Sequence, residues 1–144
     1  MFSGSAQLNL DNKGRLVIPA RYHEALRERC GGRLVITGDV ERNLLLYPLP
    51  EWEIILQKLE SLSNLDSRVR ALQRRFIGFA VDTEMDTAGR VLVSPELRRY
   101  AQLEKTVVLA GVGKKFELWN IEQWDSRAEP LGDAPLVGLE DFSL

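Results

Sequence analysis

Apolar and polar residues alternate across Ala6-Gln7-Leu8-Asn9-Leu10, which is the period of a strand with one buried face. A turn at Asp11-Asn12-Lys13-Gly14 leads into a second strand, where Leu16 and Ile18 share one face and Arg15 and Val17 the other. Pro19 suits a first helical position, and Tyr22, Ala25, Leu26 and Cys30 recur at helical spacing until Gly31-Gly32 stops the run. Leu34–Thr37 and Leu44–Tyr47 then read as strands joined by the polar turn Gly38–Asn43. The predicted order is strand, strand, helix, strand, strand.

That order returns from Ala80. Val81, Thr83 and Met85 occupy the inward positions held by Ala6, Leu8 and Leu10, 75 residues earlier. Ser94 and Pro95 form a helix start, with Leu97, Tyr100 and Ala101 as its apolar stripe. Thr106–Leu109 and Phe116–Trp119 mirror the closing strands, and Gly111-Val112-Gly113 falls where a hairpin turn is needed. Between the copies, Trp52, Ile55, Leu56 and Leu59 mark one amphipathic helix over Glu51–Glu60, and Val69, Leu72, Phe76 and Ile77 a second, capped by Asp66 or Ser67. We therefore divide the chain into a first repeat at 5–50, a helical hairpin at 51–79, a second repeat at 80–125, and an acidic tail at 126–144, expected to be flexible or loosely docked.

The duplicated turns carry the most specific chemistry. Asp11-Asn12-Lys13-Gly14-Arg15 and Asp86-Thr87-Ala88-Gly89-Arg90 place Asp first and Gly fourth in a four-residue turn, a type I preference, and each feeds an arginine into a strand. Either arginine can simply pair with its own aspartate and orient the turn. Alternatively, its planar fork can grip phosphate oxygens or the O6/N7 edge of guanine. Spacing alone leaves both readings open, and two matching cationic tips favour an anionic partner.

Charge first argues against that partner, because the 144-residue chain has a formal net charge of −2. Its distribution softens the objection. Arg127 is the last cation, and the four acids after it, Glu129, Asp133, Glu140 and Asp141, turn −2 for the whole into +2 for the rest. The surroundings of the tips also differ: Gln7, Asn9 and Lys13 accompany Arg15, whereas Asp82, Glu84 and Ala88 occupy the matching positions around Arg90. This predicts that Arg15 is the stronger reader and that Arg90 serves architecture.

Other chemistry finds little support. Neither the single Cys30 nor the lone His23 has companions at metal-ligand spacing, so both read as packing or surface residues. No nucleophile elbow or phosphate-cradling loop is present. Asp82, Glu84 and Asp86 share one side of a strand and can hold a divalent cation, against the simpler reading of a solvated face. Arg68, Arg70, Arg74 and Arg75 read first as a solvated helix face and second as a contact surface for an acidic partner, which leaves a protein-interaction scaffold as an alternative function. No stretch approaches the roughly 18 apolar residues of a membrane span, and the start lacks signal-peptide features, so a cytoplasmic protein without a membrane partner is expected.

Met1-Phe2-x-Gly4, Asp11-x-Lys13-Gly14-Arg15-Leu16 with Ile18-Pro19, Leu45-Leu46-Tyr47-Pro48-Leu49-x-x-Trp52, and Asp86-x-x-Gly89-Arg90 leading to Pro95-x-Leu97-Arg98 resemble the MraZ family over nearly the whole chain. The resemblance implies an α+β fold in which two AbrB-type swapped-hairpin repeats close into a pseudo-twofold β-barrel with a central helical hairpin. It also implies a non-enzymatic, nucleoid-associated regulator that binds direct repeats in the promoter of a division and cell-wall gene cluster, usually as a repressor, in ring-like homo-oligomers. The DNA-binding residues it implies are Asn12, Lys13, Arg15 and Arg90, with Asp11, Gly14, Asp86 and Gly89 forming the turns. No cofactor, metal or small-molecule ligand is implied. Two departures stand out: Ser3 replaces a basic residue common in the family, and the proline of the second repeat comes one position late, after Ser94.

Overall fold

Local signals account for the elements of the computed structural model, which describes residues 1–127. The acidic tail expected from sequence lies outside the described residues, apart from its first two. In the first repeat, β1 (Ser5–Asn9) and β2 (Arg15–Val17) precede a 3-10 turn at Ala20–Tyr22 and α1 (His23–Cys30). Backbone amides of Gly31 and Gly32 donate to the carbonyls of Arg27 and Leu26 and end that helix. The hairpin strands β3 (Arg33–Gly38) and β4 (Leu44–Pro48) follow. Next come α2 (Leu49–Glu60), which starts two residues before its expected boundary because Pro48 and Pro50 suit a helix start, and α3 (Ser67–Phe76), whose Asp66 cap accepts the Arg68 amide. The second repeat supplies β5 (Val81–Glu84), β6 (Arg90–Leu92), α4 (Pro95–Tyr100), β7 (Thr106–Gly111), β8 (Phe116–Asn120) and a short α5 (Ile121–Asp125). Ser94 caps α4 through the Leu97 amide, which fixes the one-residue shift of that helix start.

The copies exchange strands. The six-stranded sheet runs β1-β7-β8-β4-β3-β5 and is antiparallel throughout, so each repeat's first strand pairs with the other repeat's hairpin. Exchanging the two copies reverses this order onto itself, which places a pseudo-twofold between β4 and β8. The remaining strands, β2 and β6, pair antiparallel as a separate two-stranded ribbon on the same pseudo-axis.

The expected barrel does not close. Strands β1 and β5 remain the two edges of an open sheet among the described residues. Each runs through its Asp turn into a ribbon strand, and the ribbon's inward side chains fill the gap in place of ladder hydrogen bonds. Leu16, Ile18, Val91 and Val93 are thereby buried to 0–1% exposure and join Leu26, Leu97 and the inner face of the sheet in one core. Removing each such side chain from water contributes about 1.5–3 kcal/mol.

The outer face of β3 and β4 holds a second cluster, in which Val35, Leu45 and Tyr47 meet Trp52 of α2. Burial on both faces explains why these strands read as unbroken apolar runs. On the second repeat the counterpart of α2 among the described residues is the short α5, whose Trp124 lies 6.3 Å, centroid to centroid, from Trp119.

Candidate nucleic-acid interface

Both Asp turns have the same internal wiring. The Asp11 carboxylate accepts from the Lys13 amide at 2.9 Å and the Arg15 amide at 2.8 Å through Oδ1, and from Arg15 Nε at 2.7 Å through Oδ2. Asp86 accepts from the Ala88 amide at 3.0 Å, the Arg90 amide at 2.8 Å and Arg90 Nε at 2.8 Å. Gly14 and Gly89 close the turns with amides donated to the aspartate carbonyls, at φ of 84° and 82°. That left-handed backbone costs a residue with a Cβ about 1–2 kcal/mol, which accounts for glycine at both positions.

These bonds all favour the ionised carboxylate. Asp11 is held down to about 2, chiefly by the Arg15 amide, with the Arg15 side chain and Lys13 amide adding to it; Asp86 is lowered mainly by the Arg90 amide. The arginine is oriented in return. Because its aspartate engages only Nε, both terminal nitrogens of Arg15 and of Arg90 lack a hydrogen-bond partner among the described residues. The local ion pair therefore exists and still leaves the outer edge of each guanidinium available to a ligand.

The register brings the two arginines together. On the ribbon Arg15 stands opposite Leu92, Leu16 opposite Val91, and Val17 opposite Arg90. Side chains alternate, so the Leu16–Val91 pair turns inward and Arg15, Val17, Arg90 and Leu92 share the outer face. The arginines are diagonal neighbours there, with Val17 and Leu92 each 50% exposed between them. Reading the two tips as separate does not anticipate this placement: Arg15 and Arg90 are opposite corners of one surface.

Each turn is also backed by the other repeat. The Ile18 amide donates to the Gly89 carbonyl at 2.8 Å, and the Val93 amide to Gly14 at 2.9 Å. Behind Gly14, Arg98 Nε donates to the Val93 carbonyl at 3.0 Å; behind Gly89, His23 Nε2 lies 2.5 Å from the Ile18 carbonyl. His23 and Arg98 stand 75 residues apart, so the duplication offset identifies them as one position, a signal that a search for metal-ligand spacing around a lone histidine misses. Arg27 also donates to the carbonyls of Asp86 and Thr87, 3.2 Å each, and brings positive charge under the otherwise acidic tip.

Asn12 and Lys13 are exposed at the first turn, as are Thr87 and Ala88 at the second. Asp82, Glu84 and Asp86 do not assemble a metal site: both Asp86 oxygens are engaged by its own turn, and no group of three potential ligands forms among the described residues. The arginines of α3 are dispersed as well. Arg68 pairs with Asp66 at 3.0 Å, Arg70 donates to the Asn64 and Leu65 carbonyls, and Arg75 bonds the Tyr100 hydroxyl at 2.5 Å. Cys30 donates to the Leu26 carbonyl within its own helix. Among the described residues no helix is long and apolar enough to cross a membrane.

A family model described as "MraZ protein, putative antitoxin-like" matches the chain twice, over residues 1–75 and 76–137. A protein of Nitrosomonas eutropha named Transcriptional regulator MraZ is 52% identical over 149 aligned positions, covering 100% of both chains. Proteins of the same name from Nitrosospira multiformis and Thioalkalivibrio sulfidiphilus are 50% identical, with 100% of both chains covered, and 55% identical, with 86% of this chain and 83% of the relative covered.

Proposed function

The chain belongs to the MraZ family, and from that premise we propose that it is a transcriptional regulator that binds double-stranded DNA through the outer face of the β2–β6 ribbon. The observation that carries this reading is the shared face of Arg15 and Arg90, each oriented through Nε by its own aspartate with its terminal nitrogens unbonded among the described residues. A two-stranded ribbon fits the major groove, where such forks match the O6/N7 edge of guanine. Val17 and Leu92 between them match a thymine methyl group, while Asn12 and Lys13 are placed for the backbone at the end of the ribbon.

One ribbon makes few phosphate contacts. Useful affinity then comes from several subunits on successive direct repeats, joined in a ring-like homo-oligomer whose sites add through effective concentration. In this reading the protein is cytoplasmic and nucleoid-associated, requires no cofactor, and represses the division and cell-wall gene cluster in which it acts. Residues 5–50 and 80–125 are the two AbrB-type copies, each completing the other.

Titration of wild-type, Arg15→Ala and Arg90→Ala proteins against the promoter and a scrambled duplex tests the assignment. Each substitution is expected to weaken promoter binding by about 1–3 kcal/mol per subunit site and to narrow the margin over scrambled DNA. Promoter binding by Arg15→Ala equal to wild type removes the proposal.

A further inference from the structure

His23 and Arg27 lie one turn apart on α1, so both side chains leave the same face of the helix. That face meets the second Asp turn. His23 packs behind Gly89, and Arg27 Nη2 donates to the carbonyls of both Asp86 and Thr87. The clamp crosses from a helix of the first repeat to the tip of the second.

The first turn has no equivalent. His23 has its counterpart in Arg98, but the position 75 residues after Arg27 is Gln102. Helix α4 ends at Tyr100, whereas α1 continues to Cys30, so Gln102 falls past the helix, at a φ of 53°. Its polar atoms turn to the start of α5, where its carbonyl accepts from Asn120 at 2.5 Å and its Oε1 from Gln123 at 2.8 Å. Among the described residues no side chain donates to the carbonyl of Asp11 or Asn12.

Asp86 links Arg27 to Arg90. Its carbonyl accepts from Arg27 and from the Gly89 amide, while its Oδ2 accepts from Arg90 Nε at 2.8 Å. Peptide units are planar, so holding two consecutive carbonyls fixes both planes and the direction from which the carboxylate meets the guanidinium. The turn that carries this extra clamp is the one entered from Asp82 and Glu84.

We propose that Arg27 is a positioning residue for Arg90. By clamping the Asp86 and Thr87 carbonyls it keeps the Asp86 carboxylate aimed, and with it the terminal nitrogens that Arg90 offers to a base edge; Arg15 does not depend on it. The base contact of Arg90 rests on the DNA reading above, whereas the aiming of its side chain does not.

The test compares full-length wild-type, Arg27→Ala and Arg27→Lys proteins, first without DNA, through the Nε–H resonances of Arg15 and Arg90. Arg27 is exposed, so its replacement leaves the core intact. The Arg90 signal is expected to broaden and exchange faster with water in Arg27→Ala, and to recover in Arg27→Lys, whose ammonium can donate to the same carbonyls. The Arg15 signal should stay as in wild type. Changes at both arginines, or at neither, overturn the proposal. In promoter titrations Arg27→Ala is expected to weaken binding about fivefold in the wild-type and Arg15→Ala backgrounds and to add no loss to Arg90→Ala, with an unchanged salt slope. An equal loss on top of Arg90→Ala, or a slope reduced by about 0.9, makes Arg27 a DNA contact in its own right and overturns the positioning role. Arg90→Ala binding as wild type would instead refute the DNA reading, with the Nε–H signals still deciding what Arg27 does.

Discussion

The turns at Asp11 and Asp86 share a carboxylate clamp, a left-handed glycine and an outward arginine, while their surroundings diverge. The first is entered from Gln7 and Asn9, carries Lys13 at its tip, and rests on Arg98. The second is entered from Asp82 and Glu84, carries Ala88, and rests on His23 and Arg27. Duplication has kept the geometry that aims an arginine and released the charge around it. The pseudo-twofold therefore belongs to the ribbon as a scaffold, and on the proposed DNA-binding reading the difference between its ends gives one subunit a direction, with the Lys13 end the stronger phosphate contact and the Asp82–Glu84 end the weaker.

Replacing each glycine by alanine strains this comparison most. Left-handed backbone alone predicts a loss of about 1–2 kcal/mol at either position. A Cβ on Gly14 would meet the Arg98 guanidinium at 2.6 Å, and one on Gly89 the His23 ring at 2.2 Å. A guanidinium swings aside more readily than a ring packed behind its turn, so Gly89→Ala is expected to lower the denaturation midpoint more than Gly14→Ala. The reverse order would show that His23 is the looser support.

Transplanting the tip charge has the next largest effect. Lys13→Ala should reduce the salt dependence of promoter binding by about 0.9 in log–log slope, the value of one phosphate contact, and Ala88→Lys should add as much if the second tip also lies along the backbone. An unchanged slope for Ala88→Lys would place that end away from phosphate.

Acid titration is the gentlest probe. An ordinary Asp titrates near 3.9, whereas Asp11 in the folded turn is held at about 2. A carboxylate lowered on folding stabilises the turn fully above its ordinary value and loses that contribution as pH falls toward the folded one. The amide resonances of Lys13 and Arg15 should hold from neutral pH to about 4 and shift only below it, and those of Ala88 and Arg90 should also titrate below the ordinary range, because Asp86 moves in the same direction.

The strands, helices and turns were legible because their signals are local: alternation in β1, the cap at Ser94, the Asp and Gly of each turn. What these elements pair with was not. Leu16 facing Val91 and Leu34 facing Thr83 are contacts across the duplication, and no local period encodes which of two similar strands will be the neighbour. The same gap hid the ribbon, and with it the position of Arg90 beside Arg15 and the buttress at His23. Barrel closure failed for a related reason: the turns divert β2 and β6 into a ribbon of their own, and apolar side chains fill the space that a ladder would have closed.

The central claim is that Arg15 and Arg90 read one stretch of DNA together. Guanine N7-methylation interference on a promoter fragment, compared among wild-type, Arg15→Ala and Arg90→Ala proteins, tests it most directly. The account predicts two sensitive guanines within each repeat unit, one insensitive once Arg15 is lost and the other once Arg90 is lost. Loss of Arg90 that leaves every interference signal in place would contradict it.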